Sequence, residues 1–268
     1  MPLIEISLLV LAGFVGGFLA GMLGVGGGIV FVPVIQQLLV YHEISNGNVA
    51  YTLANSLVIV FMVGISGTVK QLKLKNTHIP SAFAAGISAS VSSLILTYFI
   101  YINGINNPQL FNYIFAGILI LTTIRMLFSN KTEITELVIP KIGKFIPAGL
   151  FAGLVTALSG LGGGIVLVPY FNKVLKLPIK FATGLSLSVI PIIAMPLIIF
   201  YGSIKPMQFV DFKYQTGYLV WPLLIPVISS AILASGYGVK YAQTLKPKTL
   251  SIVFVVFVLI TLIKILFL

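Results

Sequence analysis

Long stretches of this chain carry almost no charged side chains, which restricts the chain to folds whose surface can face lipid. Of the 268 residues, 58% are hydrophobic and only 8% are charged, which is too little polarity to cover a soluble globule. In the lipid interior the backbone finds no water, and helices satisfy its N–H and C=O groups internally. The sequence therefore predicts an all-α polytopic membrane protein.

The apolar stretches divide into ten segments. They span about residues 4–22, 27–41, 48–69, 80–102, 109–128, 145–160, 163–177, 181–201, 214–238 and 249–268. The segments at 27–41 and 163–177 are short for a complete crossing, and each can instead be half of a re-entrant hairpin. We therefore expect about eight to ten membrane segments.

Basic residues predict how the segments are oriented, because loops on the cytoplasmic side of a membrane are enriched in lysine and arginine. The basic residues of four alternate loops are Lys70, Lys73, Lys75, Arg125, Lys131, Lys141, Lys144, Lys173, Lys176, Lys180, Lys240, Lys246 and Lys248. The loops at 42–47 and 103–108 contain neither residue type, and the loop at 202–213 contains only Lys205 and Lys213. We expect a multi-pass membrane protein with both termini outside the cytoplasm.

The most polar long stretch, at 130–144, divides the chain into two membrane repeats of five segments each, at 1–129 and 145–268. An odd number of segments in each half turns the second half over with respect to the first. The sequence thus predicts an inverted repeat joined by a cytoplasmic linker, an arrangement that many secondary transporters share.

Both halves contain the same glycine-rich motif. Gly24–Pro33 reads GVGGGIVFVP, and Gly160–Pro169 reads GLGGGIVLVP. Equivalent residues of the two copies are 136 positions apart. Each of three adjacent glycines costs about 1 kcal/mol in a helix relative to alanine, so we expect the helix to be broken or re-entrant at each motif. Single glycines four positions apart, which favour close helix packing, are Gly13, Gly17 and Gly21, and then Gly149 and Gly153.

A broken helix presents backbone N–H groups at the start of the next half-helix, where the helix dipole also favours negative charge. Two such breaks that enter from opposite faces can meet near the middle of the membrane around one anionic ligand. The duplicated motif therefore predicts an anion site at mid-membrane.

The motif GxGGGxxxVP, present in both halves with a serine-bearing segment after each copy, resembles that of the sulfite exporter TauE/SafE family of membrane transporters. The resemblance covers nearly the whole chain and implies transport of sulfur-containing or organic anions such as sulfite, sulfonates and sulfoacetate across the plasma membrane. The family's A-x-G-T-S-L stretch is matched by ATGLSL at Ala182–Leu187 and by TLANSL at Thr52–Leu57. Its threonine is replaced by Asn55 and Leu185, so we expect the ligand to be held asymmetrically.

Candidate ligand donors lie in the glycine triplets and in the two serine-bearing stretches. Serine hydroxyls and an asparagine amide can donate hydrogen bonds to sulfite, sulfonate or carboxylate oxygens. A serine in a membrane helix can instead bond to the backbone carbonyl four residues back. The predicted substrate-binding residues are Gly26, Gly27, Gly28, Asn55, Ser56, Gly162, Gly163, Gly164 and Ser186.

The predicted function is secondary transport of a small anion by alternating access at this midplane site. The five carboxylates, Glu5, Glu43, Glu133, Glu136 and Asp211, fall at segment ends or in loops, so no proton relay is expected within the membrane. An interior-negative potential of about 100 mV favours the exit of one negative charge by about 2.3 kcal/mol, which favours export. Uptake coupled to H⁺ or Na⁺, or an anion channel, are the alternatives.

The sequence predicts neither an enzyme nor a cofactor. Gly64–Gly67 fits the GxSG pattern of intramembrane serine proteases, but neither His42 nor His78 lies within a predicted segment to act as the base. The chain also lacks cysteine, an HExxH motif and a P-loop. Its basic residues are dispersed over short loops, which is unlike a nucleic-acid surface. The expected partners are a small anion and the lipid bilayer.

Overall fold

The computed structural model describes residues 3–42, 48–104, 136–206 and 214–246, with scattered positions between 107 and 124 and between 248 and 259. Most of the predicted segments 109–128 and 249–268 lies outside the described residues. Within those residues the chain is almost entirely helical, which confirms the prediction of an all-α protein.

Eight α-helices account for most of the described chain. They are α1 (Leu3–Leu23), α2 (Gly28–Tyr41), α3 (Asn48–Lys73), α4 (Ile79–Ile102), α5 (Ile146–Ser159), α6 (Gly164–Pro169), α7 (Ile179–Ser203) and α8 (Trp221–Thr244). A 3-10 turn at Ile142–Phe145 precedes α5, and a π-helical turn at Tyr170–Val174 follows α6. A short antiparallel β-hairpin, β1 (Gln215–Thr216) with β2 (Leu219–Val220), precedes α8.

Six helices in the described part of the chain are long and apolar enough to cross a membrane. They are α1, α3, α4, α5 together with its preceding turn, α7 and α8. The shorter α2 is also apolar. These helices confirm the prediction of a multi-pass membrane protein.

Hydrogen bonds between distant parts of the chain define the two ends of the bundle. At one end, Lys180 Nζ donates to the backbone oxygen of Gln243 (2.6 Å), and Asn76 Nδ2 donates to Gln243 Oε1 (3.2 Å). At the other end, Gln215 Nε2 donates to the Tyr51 hydroxyl (2.6 Å) beside the β-hairpin. We call these the lysine-rich end and the hairpin end.

Small residues bring the outer helices into close contact. α1 packs along α8, α4 packs along α5, and the central α3 and α7 are the most deeply buried of the six crossings. A Cβ atom added at Gly13, Gly17 or Gly21 would collide with the backbone of α8, and one added at Gly149 or Gly153 would collide with the backbone of α4. These contacts confirm the predicted packing function of the five glycines.

The end of α2 lies near the start of α1, which brings two ionisable side chains together. His42 Nε2 lies 3.7 Å from Glu5 Oε2, and Glu5 is only 8% exposed. Sequence position alone placed both residues at segment ends without indicating that they meet. They meet because the chain reverses after Leu23 and α2 runs back alongside α1.

Replacing Gly17 by alanine is expected to lower the thermal unfolding temperature, because the new methyl group would collide with the Ala231 carbonyl and force α1 away from α8. Overpacking of this kind costs about 1–3 kcal/mol. Gly236 is the matched control on α8, since a Cβ atom there meets nothing within 4 Å and alanine favours the helix by about 1 kcal/mol. Equal unfolding temperatures of the two alanine variants in detergent would contradict the packing function of Gly17.

Candidate functional site

The first glycine segment, residues 24–27, joins α1 to α2. α1 ends at Leu23, and α2 begins at Gly28. Gly24, Gly26 and Gly27 have φ angles of 73°, 75° and 78°, in the left-handed region where a Cβ atom is unfavourable. Glycine is therefore needed here for the backbone to reverse within so few residues.

The second glycine segment, residues 160–163, has the same geometry. α5 ends at Ser159, and α6 begins at Gly164. Gly160, Gly162 and Gly163 have φ angles of 66°, 72° and 74°. The two segments thus share not only a sequence motif but also a backbone conformation at equivalent positions.

The two glycine segments lie against each other. A Cβ atom at Gly28 would be 2.6 Å from Leu161 Cα, and one at Gly164 would be 2.5 Å from Val25 Cα. Real side chains do not tolerate these distances, so only hydrogen fits at both positions. The third glycine of each triplet therefore allows direct contact between the two backbones.

This contact lies halfway along the two central helices. A Cβ atom at Gly26 would be 3.0 Å from both Val60 Cγ1 and Ile190 Cδ1, and one at Gly162 would be 2.5 Å from Val60 Cγ1 and 3.3 Å from Ile190 Cγ2. Val60 lies near the middle of α3, and Ile190 lies near the middle of α7. Two apolar side chains therefore cover both glycine segments in this conformation.

Two buried serines tie the glycine segments to the central helices. Ser56 Oγ on α3 donates to the backbone oxygen of Gly160 (3.1 Å), and Ser186 Oγ on α7 donates to that of Gly24 (2.8 Å). A carbonyl at the end of a helix has no intrahelical N–H partner, so each hydroxyl satisfies a group that the helix leaves unpaired. These two bonds cross from one half of the chain to the other, unlike a bond to the carbonyl four residues back.

Backbone N–H groups at the starts of α2 and α6 supply positive potential at the same place. Gly27 O accepts hydrogen bonds from the N–H groups of Val30 and Phe31 (2.9 and 3.1 Å), and Gly163 O accepts an equivalent pair. The first N–H groups of a helix have no intrahelical acceptor and form the positive end of its dipole. α6 continues directly into the turn at Tyr170–Val174, which extends its helical run.

Asn55 differs from the other predicted donors because its side chain faces the hairpin end. Its Nδ2 donates to the backbone oxygens of Tyr51 (2.8 Å) and Tyr218 (2.9 Å), and its Oδ1 accepts from Val220 N–H (2.8 Å). Both amide protons are therefore engaged in this conformation. Leu185, which occupies the same place in the second serine-bearing stretch, has no group that could form such bonds.

The structure brings most of the predicted site residues together. Gly26–Gly28 and Gly162–Gly164 form the contact, and Ser56 and Ser186 hold it from the two central helices, whereas Asn55 ties α3 to the hairpin.

Sequence reasoning missed Val60 and Ile190, the apolar cover of the contact. A signal was present, since each lies four positions, or about one helical turn, after a predicted serine. Apolar residues at this spacing are so common in membrane helices that the pattern did not distinguish them.

Replacing Asn55 by alanine is expected to lower the free energy of unfolding by about 1–3 kcal/mol, because the buried Val220 N–H would lose its acceptor and the bridge from α3 to the hairpin would be lost. Asn103 is the matched control, since its Nδ2 bonds to Phe99 O at an exposed helix end. Thermal unfolding of both alanine variants in detergent measures the difference. A cost at Asn55 no larger than at Asn103 would contradict the bridging function.

Comparison with known proteins identifies relatives over nearly the whole chain. The sequence pattern of the family described as Sulfite exporter TauE/SafE matches residues 9–265. A probable membrane transporter protein of Methanocaldococcus jannaschii is 30% identical, with 93% of this chain and 91% of the relative covered. A probable membrane transporter protein of Haemophilus influenzae is 26% identical, with 95% and 96% covered.

A third relative, a probable membrane transporter protein of Bacillus subtilis, is 22% identical, with 92% of each chain covered. No solved structure matches the chain. The family match extends over both glycine segments and over all the helices described above except the first six residues of α1, and it confirms the resemblance seen in the motifs. The chain belongs to the TauE/SafE family of membrane transporters.

Proposed function

We propose that this chain is a secondary transporter that carries a small sulfur-containing or organic anion, such as sulfite, a sulfonate or sulfoacetate, across the plasma membrane. Family membership supports transport, and the family's description supports a sulfur oxyanion as the substrate. The observation that carries the proposal is the contact of the two glycine segments halfway along α3 and α7. A carrier site at this depth can be opened to each side of the membrane in turn.

Paired contacts support an inverted repeat of two halves around the linker 130–144. Ser56 bonds to Gly160 and Ser186 bonds to Gly24, so exchanging the halves exchanges one bond for the other. When two inverted halves exchange their conformations, a protein that is open to the outside becomes open to the inside, which is the usual basis of alternating access.

The charge balance and the donor chemistry support an anion as the substrate. The chain has 16 basic and five acidic residues, with a net charge of +11. The proposed ligands are the backbone N–H groups of Gly26–Gly28 and Gly162–Gly164, with the hydroxyls of Ser56 and Ser186. Each of these groups donates hydrogen bonds, and oxyanions accept them.

The present conformation corresponds to a closed state in this proposal. Val60 and Ile190 cover the glycine segments, and both serine protons are donated to backbone oxygens. Opening toward either end would separate one serine from its carbonyl and free its hydroxyl for the anion. Asn55 would offer its amide protons only after the segment at 218–220 moves away.

The membrane potential supports export as the direction. An interior-negative potential of about 100 mV favours outward movement of one negative charge by about 2.3 kcal/mol, so no coupled ion is needed. Among the described carboxylates, Glu5 is paired with His42 near the start of α1 and the end of α2, away from the glycine contact. Export driven by the potential therefore requires no proton relay at the proposed site.

Proteoliposomes are expected to show saturable counterflow of a sulfur oxyanion. Vesicles loaded with unlabelled sulfoacetate or sulfite should accumulate the labelled anion from outside, because a carrier exchanges substrate across the membrane. Flux driven by the potential without counterflow would indicate a channel, and flux that requires a Na⁺ or pH gradient would indicate coupled uptake. No flux of either anion by folded protein would contradict the proposal.

The matched variants for this assay are Ser186→Ala and Ser203→Ala. Losing a hydrogen bond to a charged ligand costs enough to raise the half-saturating anion concentration about tenfold in Ser186→Ala. Ser203 is exposed and bonds to Ile199 O within its own helix, so its variant should transport like the wild type. Equal half-saturation in all three proteins would remove Ser186 from the proposed site.

Cysteine labelling is expected to place the lysine-rich end in the cytoplasm. The chain has no native cysteine, so a single introduced cysteine reports the side of the membrane on which it lies. Leu74 lies near the lysine-rich end, and Asn103 lies at the far end of α4. In intact cells a membrane-impermeant maleimide should label Asn103→Cys, and it should label Leu74→Cys only after permeabilisation. The reverse pattern would contradict both the orientation and the external placement of the termini.

A further inference from the structure

The side-chain amide of a buried glutamine near the lysine-rich end has no hydrogen-bond partner among the residues that the structure describes. Gln71, on the last turns of α3, is 0% exposed, yet both Nε2 and Oε1 are unpartnered. A buried amide without partners is costly, and most buried polar groups in proteins are paired. A partner for this amide therefore has to come from outside the described residues.

The carboxamide of Gln71 and the first glycine segment both approach the first turns of α7. A Cβ atom at Gly184 would be 3.0 Å from Gln71 Cδ and would also collide with Asn76 O. One residue earlier on α7, Thr183 Cα would be 2.7 Å from a Cβ atom at Gly24. Gln71 and Gly24 thus approach neighbouring residues of the same helical turn.

A second, half-paired amide and a lysine belong to the same cluster. Gln243 Oε1 accepts a hydrogen bond from Asn76 Nδ2 (3.2 Å), whereas Gln243 Nε2 is buried and has no partner in the part of the chain that the structure describes. Lys180 Nζ donates to the backbone oxygen of Gln243 (2.6 Å). No carboxylate in the described ranges lies within ion-pair distance of Lys180. The unmatched groups of this cluster are mainly donors, and its charge is positive.

We propose that Gln71, Gln243 and Lys180 form an inner binding site for the transported anion, on the lysine-rich side of the first glycine segment. The inference rests on the proposed function, because it identifies the place that an oxyanion occupies before it reaches the glycine contact. The two amide nitrogens donate hydrogen bonds to sulfonate or carboxylate oxygens, and the ammonium group supplies the compensating charge. A cation is disfavoured by the same ammonium group.

At the hairpin end, the position that corresponds to Gln71 carries no amide. Ser56 and Ser186 are 130 positions apart, and the same separation pairs Gln71 with Tyr201. Tyr201 is packed against the ring of Tyr218 and has no amide to offer. A site built around Gln71 therefore belongs to the lysine-rich end, and it suits a carrier that loads its substrate there.

Chemical modification tests the site without requiring transport. Purified protein in detergent is treated with an acetylating reagent in the presence of increasing sulfoacetate, with chloride at equal ionic strength as the reference. Mass spectrometry then measures the acetylation rates of Lys180 and of Lys240, an exposed lysine on α8 close to Gln243. Sulfoacetate should slow acetylation of Lys180 saturably and leave that of Lys240 unchanged.

The Gln71→Leu variant separates ligand binding from folding. Half-protection of Lys180 should require about tenfold more sulfoacetate in this variant, because a hydrogen bond to a charged ligand is lost. Its thermal unfolding temperature should equal or exceed that of the wild type, since leucine removes two unpaired buried groups. In sided proteoliposomes, the half-saturating concentration should rise on the lysine-rich side and stay unchanged on the hairpin side.

The outcomes distinguish this inference from the proposed function. If the wild type shows counterflow but sulfoacetate does not protect Lys180, the inner site is overturned and transport stands. The same holds if sulfoacetate protects Lys180 equally in the wild type and in Gln71→Leu. In either case Gln71 binds only internal water. Saturable protection that Gln71→Leu weakens, in a protein without counterflow, would support the site and overturn transport.

Discussion

The direct contact between the two glycine segments is the constraint on which the rest of the structure depends. Gly28 and Gly164 have no Cβ atom, so two backbones approach more closely than any other residue would permit. Backbone carbonyls at this depth need partners, because lipid provides none. Ser56 and Ser186 provide them from α3 and α7, which requires these two helices to be central and places the remaining helices around them.

Close packing of small residues then holds the outer helices on this centre. Lipid tails are as apolar as the helix surfaces, so burial of apolar area does not drive helices together in a membrane, and contact between backbones must do so. The α1–α8 and α4–α5 pairs use glycine for that purpose, with Gly17 against Ala231 and Gly153 against Ala89 as examples. Large apolar side chains on the opposite faces of these helices remain exposed for lipid.

The two ends of the bundle differ chemically although the halves share a motif and a backbone geometry. At the hairpin end the amide of Asn55 is saturated by backbone partners. At the lysine-rich end the amide of Gln71 is buried without any among the described residues. A pair of similar halves can thus support the same central contact from both sides while presenting different surroundings to a ligand on each side.

The sequence by itself determined the class of protein, its family and most of the residues at the glycine contact. Long stretches without charged side chains require lipid-facing helices, and a glycine triplet disfavours a continuous helix, so both conclusions follow from local chemistry. The functions of Val60, Ile190, Asn55 and Gln71 depended on the tertiary structure. The first three contact residues more than 100 positions away, and Gln71 matters because no described residue bonds to its amide. A local sequence pattern does not predict which distant groups will meet.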